Sequence, residues 1–476
     1  MSSAAGMVAV VGDVLPEVAL VLGGIVVLLY ALFARADRQV GAAVLALATV
    51  AIAGLLTLRM LGHEQIVTFF GTYARDGGAL WAKLIVLGAT AATIGLSVPW
   101  FRRDPRHGEY YTLLLYSALG AVLLAGATDL KEFIVAMLLS STTGFVLCAY
   151  HRRSSSAAEA AIKYYLIGAL ANSALLIGVA FLFGLAGGTT LEALATGLPG
   201  NSLTAVVGVG LVILGITFKI GAVPAHAWMP DVAQGAPAPV AAFVTAVPKV
   251  GGFLFLARFV LALPAGSVGW EVTVALLAAA TMTLGNLACL WQDDLRRLLG
   301  WSAVSQTGYG LMAIVALGRS DLAVPALLFF LLAYVPANLA AFGVVVELRG
   351  RTAITDYAGL ARSRPALAGA LALSFLSFIG VPPLSGFVAK LLLFLVAIEV
   401  GYTWLAVVAA VNTVISIFYY VRVLAPAYFG DLRAPMPVLG RAAAWTALAS
   451  AAVLVVTGIA AEPFTAAFEA AALLIR

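Results

Sequence analysis

Three lysines lie inside long apolar runs of this 476-residue chain. Lys219 precedes an interruption in "FKIGAVPAHAW", Lys249 lies about twelve residues into the next apolar run, and Lys390 follows a second interruption in "GVPPLSGFVAK". An ammonium group at the bilayer centre costs about 2.5–3.5 kcal/mol, so such residues normally face a protein interior or water. A buried lysine exchanges its proton more readily than an exposed one, and broken helices leave backbone groups that hold water. These residues therefore predict a path for proton transfer.

Other polar residues have alternative interpretations. His226 follows the first interruption and is a fourth candidate for the path, although a lone histidine there could equally bond to a freed backbone carbonyl. Lys83 begins an apolar run and is expected to extend its charged end to the membrane surface. Glu159 and Lys163 have the spacing of an i,i+4 ion pair within a helix. One loop is expected to form a solvated charged surface: Asp293, Asp294, Arg296 and Arg297.

The composition indicates an integral membrane protein. Hydrophobic residues make up 63% of the chain and charged residues 10%, against about 25% charged in soluble domains. The net charge of +5 is dispersed in short basic clusters between apolar runs, which argues against a nucleic-acid partner. The two cysteines and four scattered histidines offer no disulfide framework, iron–sulfur spacing or metal site. No glycine-rich nucleotide motif is present, so we expect no cofactor in this chain.

The apolar runs predict an all-α membrane fold of about fourteen transmembrane helices. Helices 7 and 12 are broken, and spans 4–8 and 9–13 form two inverted five-helix repeats, since interrupted helices at matching positions are typical of such repeats. The resulting division is an N-terminal segment 1–109, repeats 110–261 and 271–427, and a C-terminal helix and tail 428–476. The predicted spans are 14–33, 40–61, 79–100, 110–127, 130–150, 160–185, 203–226, 237–261, 271–290, 297–317, 323–345, 367–398, 403–427 and 440–460.

The distribution of arginines predicts the orientation. The loops after the even-numbered spans hold isolated charges such as Arg75, Lys131 and Arg319, or none. Because basic residues concentrate in cytoplasmic loops, the arginine-rich loops are assigned to the cytoplasm and both termini to the outside. The arginines concerned follow spans 1, 3, 5, 9, 11 and 13: Arg35, Arg38, Arg102, Arg103, Arg106, Arg152, Arg153, Arg296, Arg297, Arg349, Arg351, Arg362, Arg364, Arg433 and Arg441.

Several motifs resemble the antiporter-like subunits of respiratory complex I, and most closely the subunit N family of NADH-quinone oxidoreductase. They are "FKIGAVPAHAWMPDVAQGAPAPVAAFVTAVPKVGGF", "AAEAAIKYYLIGALANSALLIG", "DLRRLLGWSAVSQTGYGLMAI", "GLARSRP", "GVPPLSGFVAK" and "VNTVISIFYYVRV". The resemblance covers residues 110–430. It implies a proton-translocating membrane-arm subunit of an NADH:quinone oxidoreductase, driven by quinone reduction elsewhere in the complex. It also implies Lys219, Lys249 and Lys390 as the proton-relay lysines, with His226 near the middle lysines.

The resemblance also implies the surroundings of the chain. Flavin, iron–sulfur clusters and the quinone site are expected on partner subunits, and neighbouring antiporter-like subunits are expected beside this one. The expected location is the lipid bilayer of a bacterial plasma membrane. Subunit M has glutamate where this chain has Lys390, subunit L continues into a long lateral helix, and sodium/proton antiporters typically read Leu-Pro-Asp-Ala instead of "MPDV".

Two positions depart from the family pattern. The family carries a glutamate in span 5 that pairs with the span-7 lysine, and an ungapped alignment places Leu138 there. Gln306 stands where many relatives have histidine. A leucine cannot hold a proton or stabilise Lys219 as a cation. Two alternatives therefore stay open: a subunit of a cation/proton antiporter or hydrogenase-linked complex, and a structural paralogue with impaired pumping.

Overall fold

The computed structural model describes residues 11–105, 107–151, 153–200, 202–264, 269–431 and 438–475. In this part of the chain the backbone is almost entirely helical, with one short antiparallel pair of strands, β1 (Ile66–Thr68) and β2 (Tyr73–Arg75). The α-helices are α1 (Leu15–Phe33), α2 (Val40–Met60), α3 (Gly77–Phe101), α4 (Gly108–Gly126), α5 (Leu130–Cys148), α6 (Ser155–Ala186), α7 (Leu191–Gly197), α8 (Leu203–Ile220), α9 (Trp228–Gly235), α10 (Ala238–Val244), α11 (Val247–Leu261), α12 (Trp270–Cys289), α13 (Leu295–Ala316), α14 (Ala323–Glu347), α15 (Leu360–Ser363), α16 (Pro365–Ile379), α17 (Ser385–Glu399), α18 (Thr403–Phe429), α19 (Arg441–Ile459) and α20 (Ala461–Glu469).

The predicted all-α membrane class is confirmed. Twelve helical segments among the described residues are long and apolar enough to cross a membrane. The two remaining predicted spans, 297–317 and 367–398, correspond to the long helix α13 and to the broken pair α16 and α17. The total of fourteen crossings and the domain boundaries stay predictions. Arg106, Arg152 and Arg433 of the arginine pattern lie outside the described residues.

Both predicted helix interruptions are present, and each begins at a glycine. Gly221 ends α8 with φ +74°, and Gly380 ends α16 with φ +94°. Glycine adopts this left-handed conformation without the steric penalty of a Cβ atom, which makes it the usual residue after a helix C-terminus. Prolines follow in both segments, at Pro224 and Pro383. The chain then resumes as α9 and α17.

A third interruption, which the apolar pattern did not predict, divides span 237–261. Helix α10 ends at Val244 and α11 begins at Val247. Pro248 occupies the first turn of α11, and because proline has no N–H it cannot donate to the carbonyl four residues earlier. The signal was therefore the proline in "TAVPK". As a result Lys249 lies in the first turn of a new helix, directly beside a backbone break.

Equivalent connections in the two predicted repeats pair in the same way. Asp129, between α4 and α5, forms an isolated antiparallel bridge with Thr190, between α6 and α8. Asp294, between α12 and α13, pairs likewise with Ala353, between α14 and α16. Both aspartates also cap the helix that follows, since each side chain accepts a hydrogen bond from a backbone N–H of its first turn. These matching features favour the five-helix repeat.

Close helix packing recurs at matching positions as well. A Cβ atom on Gly120 of α4 would lie 2.6 Å from the backbone nitrogen of Ser140 in α5. A Cβ atom on Gly285 of α12 would lie 2.5 Å from the backbone nitrogen of Ser305 in α13. Small residues allow membrane helices to approach this closely. The first two helices of each predicted repeat therefore contact each other through a glycine and a serine.

Candidate functional site

Lys249 lies at the centre of a buried polar cluster. Its Nζ donates to the carbonyl of Ala303, to Oγ1 of Thr307 at 2.8 Å and to the hydroxyl of Tyr334 at 3.3 Å. The side chain is 1% exposed. A lysine ammonium group has three N–H donors, so these three acceptors satisfy it completely. The cluster can hold a proton on Lys249 within an otherwise apolar helix bundle.

Lys219 lies at the C-terminal end of α8, next to the first predicted interruption. Its Nζ donates to Oγ of Ser141 in α5 at 3.0 Å, and the side chain is buried. Its alkyl part packs against Gly252 in α11, where a Cβ atom would lie 3.4 Å from Cγ of the lysine. Gly252 follows Lys249 by less than one helical turn, so Lys219 packs against the helix that carries Lys249, close to its first turn.

Lys390 lies in α17, after the second predicted interruption. Its Nζ donates to the carbonyl of Ile379 at 3.1 Å and to Oγ1 of Thr413 at 3.2 Å. The ammonium nitrogen also lies 4.1 Å from the ring centroid of Tyr309, a distance at which a cation is attracted to an aromatic face. The freed carbonyl at the end of α16 thus becomes a partner of the lysine. The second predicted interruption therefore supplies Lys390 with one of its hydrogen-bond partners.

The three lysines share the absence of a carboxylate partner. Among the described residues, none of their ammonium groups takes part in a salt bridge. Their partners are hydroxyl groups and backbone carbonyls instead. These acceptors can bond to a lysine in either protonation state, because both the ammonium ion and the neutral amine retain N–H donors. Such a site suits a group that gains and loses a proton.

Polar groups continue from Lys249 towards Lys390. The hydroxyl of Tyr334 contacts Lys249, and Tyr334 also lines a cavity of about 10 Å³ together with Gln306, Ser377 and Lys390. A cavity of that size is about the minimum for one water molecule, provided that polar partners surround it. The Gln306 amide donates to the carbonyl of Phe378 at the rim of the same cavity. The middle and last lysines are therefore joined by polar side chains and one water-sized space.

No hydrogen bond joins His226 to any of these lysines among the described residues. Its ring packs against Trp301 with the ring centroids 5.6 Å apart. Its Nδ1 atom has no hydrogen-bond partner among the described residues. The family resemblance implied a position near the middle lysines, and the structure places the histidine in the first interruption without a direct bond to them. Its part in the relay stays a prediction.

Comparison with known proteins decides the family. The family described as NADH:quinone oxidoreductase/Mrp antiporter, TM, matches residues 127–416. Subunit N of NADH-quinone oxidoreductase from Mycobacterium sp. (strain JLS) is 43% identical over 413 residues, which is 85% of this chain and 86% of that protein. This chain belongs to the NADH-quinone oxidoreductase subunit N family. Subunit N 1 from Streptomyces griseus is 42% identical over 93% of this chain and 94% of its own length.

The fold agrees with the subunit N assignment. A chain of respiratory complex I from Thermus thermophilus superposes with a TM-score of 0.85 at 30% identity. The superposition covers 96% of this chain and all of that one. Sequence and fold therefore agree along nearly the whole length of the chain.

Leu138, which the ungapped alignment is expected to place at the family's glutamate position, lies on the surface of the protein. Its side chain is 45% exposed, whereas Ser141, one turn further along α5, is buried and receives the hydrogen bond of Lys219. Leu138 therefore borders the Lys219 site from outside. The serine hydroxyl, which the sequence did not single out, is the group on α5 that Lys219 contacts.

The expectation for Lys83 was wrong. Lys83 does not extend to the membrane surface: its side chain is fully buried, and Nζ lies 2.6 Å from Oε1 of Glu17. Tyr73 donates a hydrogen bond to the same carboxylate and places its ring 5.2 Å from the lysine nitrogen. The reason is that α1 brings Glu17 alongside the start of α3, so the ammonium group is stabilised inside the protein.

The predicted pair of Glu159 and Lys163 is confirmed, but it belongs to a larger network. Lys163 Nζ lies 2.6 Å from Glu159 and 3.0 Å from Asp231 in α9. Arg297 at the start of α13 lies 2.5 Å from the other oxygen of Asp231. Asp231 therefore links α6 and α13 at the end of the first broken helix.

The expected solvated loop face is present only at Asp293, whose side chain is 96% exposed. Asp294 is the N-cap of α13, and Arg297 bonds to Asp231 as described above. Arg296 donates to backbone carbonyls near the end of α9. The expectation was wrong for these three residues because the carbonyls freed at a helix end and the acid on α9 supply partners that a simple loop lacks.

Proposed function

We propose that this chain conducts protons across the bacterial plasma membrane as the subunit-N-type membrane subunit of an NADH-quinone oxidoreductase. Lys219, Lys249 and Lys390 are the groups that carry the proton, and His226 is a candidate for its entry into the first interruption. The observation that supports the proposal most directly is the arrangement of the lysines. Each is buried next to a backbone interruption, and its ammonium group bonds only to hydroxyls and carbonyls among the described residues.

Transfer between the sites follows the polar contacts. Thr307 and Tyr334 accept from Lys249 and donate their own hydroxyl protons to the carbonyls of Ile220 and Thr245. Ile220 is the last residue of α8, directly after Lys219, so Thr307 ties the Lys249 cluster to the end of the helix that carries Lys219. The water-sized cavity beside Tyr334 continues it towards Lys390. A hydroxyl that rotates can hand a proton from one partner to the next.

The rest of the machinery is proposed to lie on partner subunits. Flavin, iron–sulfur clusters and the quinone site belong to them, and this chain contributes a cofactor-free translocation unit to the oxidoreductase. Neighbouring antiporter-like subunits contact its flanks, and lipid contacts the exposed apolar surfaces of α1, α2, α6 and α18. Both chain termini are proposed to face away from the cytoplasm.

NADH-driven, uncoupler-sensitive proton uptake by inverted membrane vesicles tests the proposal. Vesicles from cells whose only copy carries Lys219→Met, Lys249→Met and Lys390→Met together should oxidise NADH but take up fewer protons per NADH. The matched control is Lys131→Met, because Lys131 is an exposed lysine at the start of α5. Equal proton uptake in the triple variant and the wild type would refute the relay. Co-purification without any flavin-containing partner would favour the antiporter or hydrogenase-linked alternative.

A further inference from the structure

A large open cavity lies apart from the lysine path, at one end of the helix bundle. It encloses about 840 Å³, within the usual range for sites that bind small molecules. Four connections border it, near the ends of α3, α5 and α14 and before α19. These connections follow spans 3, 5, 11 and 13, and the arginine pattern assigns all four connections to the cytoplasm. The lining is Pro99, Trp100, Phe101, Arg102, Arg103, Asp104, His151, Arg349, Val438 and Leu439.

The charges around the cavity favour an anion. Arg102, Arg103 and Arg349 line it, and none of them forms a salt bridge within the described residues. Asp104 is the one carboxylate in the lining and offsets part of this charge. Burial lowers the pKa of the Arg349 guanidinium, and the nearby Arg103 lowers it further. Burial and Arg349 likewise lower the pKa of His151, so the imidazole is neutral at pH 7 and the arginines carry the positive charge.

The arginine nearest the bundle is held in place. The Arg349 guanidinium lies 4.4 Å from the ring centroid of Trp100, and its Nη1 donates to the Trp100 carbonyl at 2.8 Å. His151 stacks near the same indole, with the ring centroids 6.3 Å apart. An arginine stacked in this way loses little further conformational freedom when it binds a phosphate. The site is therefore organised before any ligand arrives.

We propose that this cavity binds the phosphate headgroup of an anionic phospholipid from the cytoplasmic leaflet. Arginine is suited to the task because its planar group donates two parallel hydrogen bonds to phosphate oxygens. Basic pockets between transmembrane helices on the cytoplasmic side are typical sites for anionic headgroups. Val438 and Leu439, together with Pro99, Trp100 and Phe101, give the cavity apolar walls beside the arginines, which suits the glycerol and the first carbons of a lipid better than a free ion.

Photo-crosslinking of the assembled complex tests the proposal. The complex is reconstituted into vesicles of phosphatidylcholine and phosphatidylglycerol that contain a trace of phosphatidylglycerol with a photoreactive group in its headgroup. Peptides covering residues 99–104 and 438–439 should be labelled, and unlabelled phosphatidylglycerol should compete whereas phosphatidylcholine should not. The double variant Arg103→Gln, Arg349→Gln should reduce the labelling at least about tenfold, because it removes two charges near the headgroup. Arg38→Gln, an exposed arginine in another loop of the same side, should leave it unchanged.

Each other outcome overturns the lipid assignment. Displacement of the probe by inorganic phosphate as effectively as by phosphatidylglycerol would indicate a site for free anions. Labelling of the double variant at the wild-type level would show that the arginines do not bind the headgroup. Absence of labelling in the wild-type complex would show that no lipid headgroup occupies the cavity. If the double variant does not assemble, the competition experiment on the wild-type complex decides alone.

Discussion

Lys83 and Glu17 form an ion pair inside the helix bundle, with Nζ of the lysine 2.6 Å from Oε1 of the glutamate. Both side chains are buried, and the pair joins α3 to α1. A buried pair of opposite charges is only weakly stabilising as a whole, but loss of one member leaves an uncompensated charge in a medium of low dielectric constant. The pair therefore fixes the position of α1 against the rest of the chain.

We predict that Glu17→Gln destabilises the protein by about 3–5 kcal/mol, because it leaves the Lys83 ammonium ion buried alone. Lys83→Met in the same chain should restore part of the loss, since it removes that charge. The measurement is thermal unfolding of the purified complex in detergent, together with the yield of assembled complex. Arg362→Gln is the control: it breaks the exposed pair with Asp431 and should leave both readouts unchanged. Equal stability of Glu17→Gln and the wild type would show that the carboxylate does not hold the lysine.

For Lys249→Met we expect a complex that assembles normally but pumps poorly. Assembly should survive because methionine fits apolar surroundings, and because the lost hydrogen bonds leave no donor unsatisfied. Thr307 still donates to Ile220, and Tyr334 still donates to Thr245. Proton uptake per NADH oxidised should fall at least about tenfold, as for the loss of a proton-transferring group in catalysis. Normal uptake in an assembled variant would exclude Lys249 from the path, and failed assembly would indicate a structural role.

The lysines were predictable from the sequence and most of their partners were not. A charged residue in a long apolar run is conspicuous because hydrocarbon penalises it, so the residue pattern alone identifies Lys219, Lys249 and Lys390. Ser141 and Thr307 are ordinary small polar residues of membrane helices. Their part in the site depends on which side of α5 and α13 faces a lysine far away in sequence, and a hydrophobic pattern does not encode that.

The helix interruptions, like the lysines, were predictable only where their residues stand out in the sequence. The interruptions at Gly221 and Gly380 carry glycine and proline together and were predicted, whereas Pro248 stands alone inside a continuous apolar run and its interruption was not. The wrong expectation for Lys83 has a related cause. A lysine at the start of a helix usually reaches water, and only the three-dimensional position of Glu17 shows that it has a buried partner.

Gly386→Ala should disturb the Lys390 site without touching the lysine itself. Gly386, in the first turn of α17, packs so closely on Ser377 of α16 that a Cβ atom would overlap the serine carbonyl oxygen. The overlap should cost about 1–3 kcal/mol and shift the start of α17, about one turn before Lys390. Proton uptake and thermal stability should both fall. Gly369→Ala in α16 is the control, because no atom lies within 4 Å of its added methyl group. Equal behaviour of the two variants would refute the close packing.

The orientation derived from the arginines predicts which engineered cysteines react from outside the cell. Arg38→Cys should be shielded from a membrane-impermeant thiol reagent in intact cells, and Gly200→Cys should be labelled. Both positions are exposed, and the natural Cys148 and Cys289 are buried, so background labelling should be low. Both engineered cysteines should react after the cells are opened, which shows that each is accessible. The reverse pattern in intact cells would invert the topology.

The last prediction concerns the glutamate that the family resemblance leads us to expect at the position of Leu138. Leu138 and Ser141 are three residues apart on α5, and side chains at that spacing lie next to each other on a helix. Since Lys219 Nζ lies 3.0 Å from Ser141 Oγ, a carboxylate introduced by Leu138→Glu should come close enough to stabilise the ammonium ion. The 45% exposure of Leu138 leaves room for the new side chain. We therefore expect Leu138→Glu to be tolerated better in the wild-type background than together with Lys219→Met.

The double-mutant cycle of Leu138→Glu and Lys219→Met measures this relationship as a coupling free energy, obtained from thermal stability and from the yield of assembled complex. Neighbouring charged groups typically couple by about 0.5–3 kcal/mol, and we expect a favourable value in this range. The same cycle with Val135→Glu is the control, because Val135 is also exposed on α5 but lies a further turn from Ser141, beyond the reach of Lys219. A coupling near zero at Leu138, equal to that at Val135, would show that the two side chains do not meet. Favourable coupling together with increased proton uptake per NADH would show that the missing carboxylate limits pumping in this chain.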